Sequence, residues 1–364
     1  MLKRLLPIII IATVAVSFSL AIPGCAQIEE AIDDPVAEEP AVDEPAVDDP
    51  EEPVDAPADV LIGYSLPFIE DSPYTFPFAT ALREAAEERG WEIIMTDAGG
   101  DIHTQGTQIE SMVEQGIDAL MIMPVDAAGI VPIIQGVYEA TNGELPIICS
   151  NVMPDPPELD ELEAFAGPDS YSQGVLMGQR YVQYLDDNNI ESISYAHITG
   201  TAGYSASIDR ERGFYDGIEE MGASDRFNRL DLQPGDWSPD RAQELTETWI
   251  TAHGDNLEMI YSHNDGMAIG IARALQDAGF APGEVITNGC DGQPEVIELI
   301  MDGWVMFTVW QSPREDALTS FRVMERILAG EEVDYWNFMD TPIVDETNAE
   351  NYIDESRELW EMLQ

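Results

Sequence analysis

From residue 60 onward the chain repeats one local pattern: a short run of β-branched or aliphatic residues, then an amphipathic stretch of helical length. The strand-like runs are 60–66, 92–97, 119–124, 146–151, 193–199, 259–263, 285–290 and 305–311, and the helical stretches are 77–89, 104–115, 172–186, 205–221, 239–252, 266–278 and 313–329. Strands alternating with helices of that length predict an α/β chain with doubly wound parallel sheets, built from right-handed crossovers. Local punctuation agrees. Gly90, Gly116 and Gly279 follow helical stretches as C-terminal caps, while Ser238-Pro239 and Ser312-Pro313 each offer a hydroxyl cap followed by proline at the first helical position.

Roughly 300 residues of such pattern exceed the size at which a single hydrophobic core stops growing, so two lobes are expected. In open α/β sheets ligands bind beyond the carboxyl ends of the strands, where polar loops converge. The residues that close these strands are Asn151, Asn264 with Asp265, Asp291 and Gln311. An Asn or Asp there often caps a helix or forms a turn. Four strand ends carrying planar amides or carboxylates form a more specific set, able to bridge neighbouring hydroxyls.

Several ordered segments go further: Ser72-Pro73-Tyr74; Asp97-Ala-Gly-Gly-Asp101; Gln105, Gln108 and Gly116-Ile-Asp118; Met121 through Asp126; Gly200-Thr-Ala-Gly203; Arg210-Glu-Arg-Gly-Phe214; Asn264 through Gln276; and Asp291-Gly292. Over residues 60–343 the chain resembles a periplasmic sugar-binding protein of the ribose and galactose type (type I), the solute receptor of an ABC importer. That resemblance implies two similar lobes joined by a three-strand hinge, with a monosaccharide enclosed between them. The N-terminal lobe would take 60–164 plus 312–339 and the C-terminal lobe 165–311 plus 340–364. It also implies a monomer, no cofactor and no metal.

Carried over by position, the binding residues would be Tyr74, Asn151, Arg210, Trp237, Asn264, Asp291 and Gln311. A sugar presents an apolar C–H face and a rim of hydroxyls, which suits aromatic rings on the face and forked planar groups on the rim. Three alternatives stay open: Phe76 or Phe78 in place of Tyr74, Arg212 in place of Arg210, and plain lobe packing for Trp237. Asp265 is expected to cap the following helix. Val152 stands where ribose receptors tend to carry arginine, and Met123 precedes Pro124 with no polar group, so another aldose, such as a hexose in pyranose or furanose form, fits at least as well as ribose. Cys149 and Cys290 would fall in different lobes, as buried free thiols.

The N-terminal segment Met1-Leu2-Lys3-Arg4, an apolar run to Ile22 and Pro23-Gly24-Cys25 reads as an export signal. Gly24 before Cys25 resembles a bacterial lipobox, in which Cys25 is lipidated; Pro23 departs from that pattern, and an uncleaved anchor or an ordinary signal peptide are the alternatives. All three place the rest of the chain outside the cytoplasm, at the periplasm or the extracellular face. Residues 26–59 carry 14 acids, six prolines and no cation, a composition expected to stay an extended, disordered linker.

The charge excludes one class of partner outright. With 71 Asp plus Glu against 15 Lys plus Arg, the formal net charge is −56, which rules out a nucleic-acid partner held by phosphate neutralisation. Residues 60–364 alone hold 57 acids and 13 bases, a net of −44, so the globular surface itself is acidic and resembles that of halophilic proteins.

An enzyme is not expected. The first strand is followed by no Gly-x-Gly-x-x-Gly, there is no Walker lysine, and His103, His197, His253 and His263 lack metal-ligand spacing. The expected function is therefore capture of a monosaccharide and delivery to a membrane permease. A sugar sensor serving a chemotaxis or kinase partner is the alternative. The ligand domain of a transcriptional repressor fits less well, because an export signal stands where a DNA-reading helix pair would be needed.

Overall fold

The alternation resolves into two six-stranded sheets in the computed structural model, which describes residues 56–69 and 72–361. The export-signal segment with Cys25, and residues 26–55 of the acidic linker, lie outside the described residues.

The first sheet has the order β11-β5-β4-β3-β1-β2, from β1 (Leu61–Leu66), β2 (Glu92–Asp97), β3 (Ala119–Ile122), β4 (Ile147–Ser150), β5 (Ala164–Gly167) and β11 (Trp336–Phe338). The second has the order β12-β10-β9-β8-β6-β7, from β6 (Ile193–Thr199), β7 (Phe227–Pro234), β8 (Met259–Ser262), β9 (Ile286–Asp291), β10 (Phe307–Trp310) and β12 (Ile343–Asp345). Pairing is parallel throughout the described ladders except for β12, which runs antiparallel to β10.

Both faces of the central strands are buried, which is why these strands read as largely apolar runs. Along β3, Ala119 and Met121 join the core under α1 (Thr75–Arg89) and α9 (Pro313–Leu328), whereas Leu120 and Ile122 join the core under α2 (Ile102–Glu114) and α3 (Val131–Ala140). The same two-residue period divides the second sheet: Met259 and Tyr261 face one core, Ile260 the opposite one.

The chain passes between the sheets three times. It leaves the first after β5 for α4 (Ser170–Asp187), returns after β10 into α9, and crosses again between β11 and β12, after which α10 (Ala349–Glu361) packs on α8 (Pro294–Met301). The fold is thus two doubly wound α/β lobes joined at three crossovers. The boundary expected after residue 164 falls inside β5, which is hydrogen-bonded into the first sheet.

Two helices of the second lobe meet with almost no side chain between them. Gly174 and Gly178 on α4 face Gly213 and Gly217 on α5 (Ser205–Glu220). A Cβ on Gly213 would stand 2.1 Å from the carbonyl oxygen of Tyr171, and one on Gly178 would stand 2.4 Å from that of Phe214. Spacing glycines four apart on both helices gives each a flat stripe, so the backbones touch directly.

The caps behave as their chemistry requires. Gly90 and Gly279 take left-handed caps, and the hydroxyls of Ser238 and Ser312 accept from Arg241 N and Glu315 N. Cys149 and Cys290 are buried and free, on β4 and β9 of opposite sheets, and burial pushes both thiols up from their ordinary pKa.

Candidate functional site

The loops beyond the carboxyl ends of both sheets carry the residues singled out from the sequence, and they form two linked polar groups. In the first lobe, Tyr74 at the start of α1 donates its hydroxyl to Asp316 Oδ2 at 2.8 Å, and Asn151, just past β4, donates Nδ2 to the same oxygen at 2.7 Å. Asn151 sits at φ 59°, a left-handed position that asparagine tolerates better than most residues, and this turns its side chain toward Asp316.

In the second lobe, Arg210 on α5 is 3% exposed and held from three sides. Its Nε donates to Gln173 Oε1 at 3.0 Å, Nη1 to the His263 carbonyl at 2.8 Å and Nη2 to Gln311 Oε1 at 2.8 Å. Gln173 Nε2 also donates to Gln311 Oε1, at 2.7 Å. With its oxygen doubly occupied, Gln311 has only its amide nitrogen left to donate, and its side chain stands beside the Tyr74 hydroxyl, where it favours the ionised phenol against the larger effect of burial. A guanidinium has five N–H groups, so Arg210 keeps two beyond its protein partners.

Arg212, two residues on, is exposed instead; it pairs with Asp209 at 3.5 Å and lies over the Tyr171 ring. Of the aromatic alternatives near Tyr74, Phe78 is fully buried against Tyr64 in the first-lobe core, and Phe76 is half-buried.

Trp237 follows β7 and is half-buried, its ring centroid 5.9 Å from the Arg210 guanidinium carbon and 5.7 Å from the ring of Tyr204 in a T-shaped arrangement. Asp236 and Trp237 take φ of 53° and 61°, and Ser238 N closes the turn on Gly235 O at 2.9 Å. Tyr204 reaches the other way as well, packing against the first-lobe core. Two backbone donors of the first lobe also meet the second: Met153 N to Ser205 Oγ at 2.8 Å and Ala127 N to Gly203 O at 3.3 Å.

The helix cap expected of Asp265 is supplied by Asn264. Asn264 is the cap of α7 (Asp265–Ala278), its Oδ1 accepting from Met267 N at 3.0 Å while Nδ2 points to Asp291 Oδ2 at 3.4 Å. Asp265 is fully buried and accepts from Gln293 N at 2.5 Å and Thr308 Oγ1 at 2.6 Å, pinning the turn that carries Asp291. A helix of this type needs only one oxygen at its cap, and the earlier residue, still in extended backbone, is placed to supply it.

The charges are unevenly distributed. Asp291 is pushed up from the carboxylate range by burial and then by the nearby Asp265, with Arg210 and Asn264 pulling the other way. Asp265 moves in the same direction through burial, restrained by its hydrogen bonds. Burial pushes Asp316 up to about 7 against the two hydrogen bonds it accepts. Arg210 is the cation among these groups.

Behind the second-lobe group lies a chain of hydrogen bonds. Gly200 N donates to His263 Nδ1 at 3.2 Å, which leaves the proton of that ring on Nε2, facing His197 Nε2 at 2.8 Å. His197 Nδ1 in turn faces the hydroxyl of Tyr215 at 3.2 Å. Burial holds both imidazoles well below the usual histidine range, His197 at about 3.

The sequence reading missed Gln173, Asp316 and Tyr204. Gln173 and Asp316 share a detectable signature. Each is a polar side chain in the first turn of a helix that follows a crossover, on the stripe that otherwise buries apolar residues: Gly174, Met177 and Tyr181 in one case, Ala317, Phe321 and Met324 in the other. Tyr204, in the loop after β6, has no such signal.

The chain is similar to known proteins in sequence and in fold. The galactofuranose-binding protein YtfQ of Escherichia coli (strain K12) is 30% identical over 234 residues, covering 64% of this chain and 71% of that protein. The ribose import binding protein RbsB of Salmonella typhimurium is 27% identical over 263 residues, covering 71% and 82%. Among solved structures, the periplasmic binding protein of the arabinose ABC transporter from Shewanella sp. ANA-3, bound to L-arabinofuranose, superposes with a TM-score of 0.73 at 25% identity, covering 83% of this chain and 97% of that one. Proteins of this kind bind solutes rather than transform them, which agrees with the non-enzymatic reading of the sequence. The periplasmic binding protein domain matches residues 62–332, and the chain belongs to that family.

Proposed function

We propose that the protein captures a monosaccharide between its two lobes, outside the cytoplasm, and delivers it to an ABC importer in the membrane. The observation that carries this reading is the set Asn151, Asp316, Tyr74, Gln311, Arg210: Asp316 accepts from Asn151 and Tyr74 in the first lobe, Arg210 of the second donates to the crossover residue Gln311, and Gln311 stands beside Tyr74. A solute seated there touches groups from both halves only when they are close together, so binding energy favours the closed form.

Tyr74, Asn151, Arg210, Trp237, Asn264, Asp291 and Gln311 are assigned to the ligand, with Trp237 on the apolar face of the sugar and the amides, carboxylate and guanidinium on its hydroxyls. The lobes that close follow the expected division, with β5 kept whole in the first: 60–167 with 312–339 and 168–311 with 340–364. Lipidated Cys25 and the acidic linker 26–59 would tether the receptor to the membrane as a monomer. A furanose is favoured as the ring form, because relatives named for galactofuranose and arabinofuranose match most of the two-lobed region.

Isothermal calorimetry against D-ribose, L-arabinose, D-xylose, D-galactose and D-glucose, in dilute and in molar salt, tests the reading. It predicts saturable binding of at least one sugar, and a loss of about 2 kcal/mol or more of that affinity in Trp237→Ala and in Asp291→Ala. Absence of binding to every sugar at both salt levels rejects it.

A further inference from the structure

Asp316 is a fully buried carboxyl group on α9 with an unequal hydrogen-bond set. Both of its donors, Tyr74 and Asn151, go to Oδ2, while Oδ1 is buried and has no partner. Oδ1 lies against Gly167, the last residue of β5 at the first crossover; a Cβ there would stand 2.8 Å from it. A carboxylate oxygen shut away from water with its lone pairs unused loses a large hydration energy and needs a donor to recover it.

The position of Asp316 puts that oxygen among the ligand groups. Its two donors are themselves cleft residues, and its charge is felt by Tyr204 on the second lobe. Met123 and Val152, which close the neighbouring strand ends, are fully buried in the core and offer no polar side chain there. The first lobe therefore offers Asp316 Oδ1 as a strong acceptor still to be satisfied.

We propose that Asp316 is a specificity-determining residue, whose Oδ1 accepts a hydrogen bond from one particular hydroxyl of the bound sugar. This rests on the sugar-binding reading above and narrows it: the guest must present a hydroxyl donor to the first lobe at the crossover, and an analogue lacking that hydroxyl leaves the buried oxygen unpaired.

A second consequence separates this role from a structural one. The titratable groups facing Asp316 are Tyr74 on α1, Tyr64 on β1 and Tyr204 across the gap, all held neutral by raised pKa values, with burial the largest cause in each; Asn151 past β4 and Gly167 past β5 carry no charge. On its own helix, Arg314 and Glu315 are exposed. With its pKa raised by burial into the neutral range, Asp316 is partly protonated before the sugar arrives. A hydroxyl donated to Oδ1 stabilises the ionised form, so binding near neutral pH releases a proton.

Calorimetry with the tightest-binding of D-galactose, L-arabinose and D-ribose, and with its commercially available deoxy analogues, tests the proposal in wild type, Asp316→Asn and Asp316→Glu. Wild type is expected to discriminate against one deoxy analogue by about 10- to 100-fold, and Asp316→Asn to shrink that ratio to about threefold or less while other ratios stay put. Repeating the titration at pH 7 in buffers of different ionisation enthalpy should show proton release in wild type and a smaller release in Asp316→Asn, where only Asp291, also raised by burial, still contributes; the wild-type measurement stands even if a variant fails to fold. Equal loss of affinity for every analogue, or no change for any of them, overturns the role of Asp316 alone, as does binding without proton release. Wild type that binds none of these sugars overturns the sugar reading and this proposal together.

Discussion

Arg210 Nη2 donates to Gln311 Oε1 at 2.8 Å, and so the guanidinium of the second lobe is fastened to the residue where the chain turns back toward the first. Gln173 closes the arrangement by bonding to both. A lysine at 210 carries the charge but presents its three donors from a single nitrogen, which cannot match a planar fork held from three sides. Arg210→Lys is expected to weaken sugar binding by about 2 to 4 kcal/mol, since it also leaves buried acceptors unpaired. Calorimetry reads the affinity, and urea unfolding shows how much of the loss is stability.

The flat contact of α4 on α5 sets where Arg210 stands. Adding one methyl at Gly213 drives a carbon into the Tyr171 carbonyl at 2.1 Å, and neither partner is a flexible side chain. Gly213→Ala should cost about 1 to 3 kcal/mol of stability and lower sugar affinity as well, because Arg210 lies one turn away on the same helix. Gly136→Ala, inside α3 where the added Cβ meets nothing within 4 Å, is the matched control: it should leave affinity unchanged and raise stability by about 0.5 to 1 kcal/mol.

Stability should depend on pH with two opposing slopes. Asp316 in the folded state holds its proton up to about 7, against an ordinary carboxylate value of about 3.9, so its contribution is present at low pH and is lost as pH rises from about 4 through 7. His197 and His263 behave in the opposite sense: their folded values lie below 6.5, so stability is lost as pH falls below 6.5, when the unfolded chain takes up protons the folded one refuses. Above pH 6.5 the histidines are silent and stability should fall toward pH 8. Asp316→Asn should reduce that fall by about 1 kcal/mol in urea titrations at pH 6.5 and 8, the remainder belonging to Asp291, which burial raises in the same sense.

The folded region carries a net −44 from residues 60–364. Its arginines are largely engaged with neighbouring carboxylates, as in Arg180 with Asp345 and Arg226 with Asp186, so most of the excess negative charge faces only other acids. Salt at molar concentration shortens the reach of that repulsion to about 3 Å. The melting temperature is expected to rise between 0.1 M and 2 M KCl, and a flat or falling trend in scanning calorimetry counts against a halophile-type surface.

Much of the architecture could be read from the order of residues because the physics that writes it is local. Central parallel strands are buried on both faces, so β3, Ala-Leu-Met-Ile, and β4, Ile-Ile-Cys-Ser, appear as short apolar runs. Edge elements are less visible. The sequence of β7, Phe-Asn-Arg-Leu-Asp-Leu-Gln-Pro, is half polar because one side of an edge strand meets water, and β11 and β12, of three residues each, are too short to show a period. The candidate site divides the same way. Residues that end strands, such as Asn151, Asp291 and Gln311, stand out by position. Asp316 and Gln173 reach the cleft from helices distant in sequence, and only the tertiary arrangement brings them beside Tyr74 and Arg210.

The turn that carries Trp237 has one more implication. A bulky side chain on a left-handed backbone costs about 1 to 2 kcal/mol, and here the residue before it shares that conformation. Such a turn persists only when its surroundings overdetermine it, so the indole has little freedom left to surrender when a guest arrives. In the role proposed for Trp237, recognition resembles a hand meeting a fixed rail: the visitor adapts, and what it loses in motion is its own.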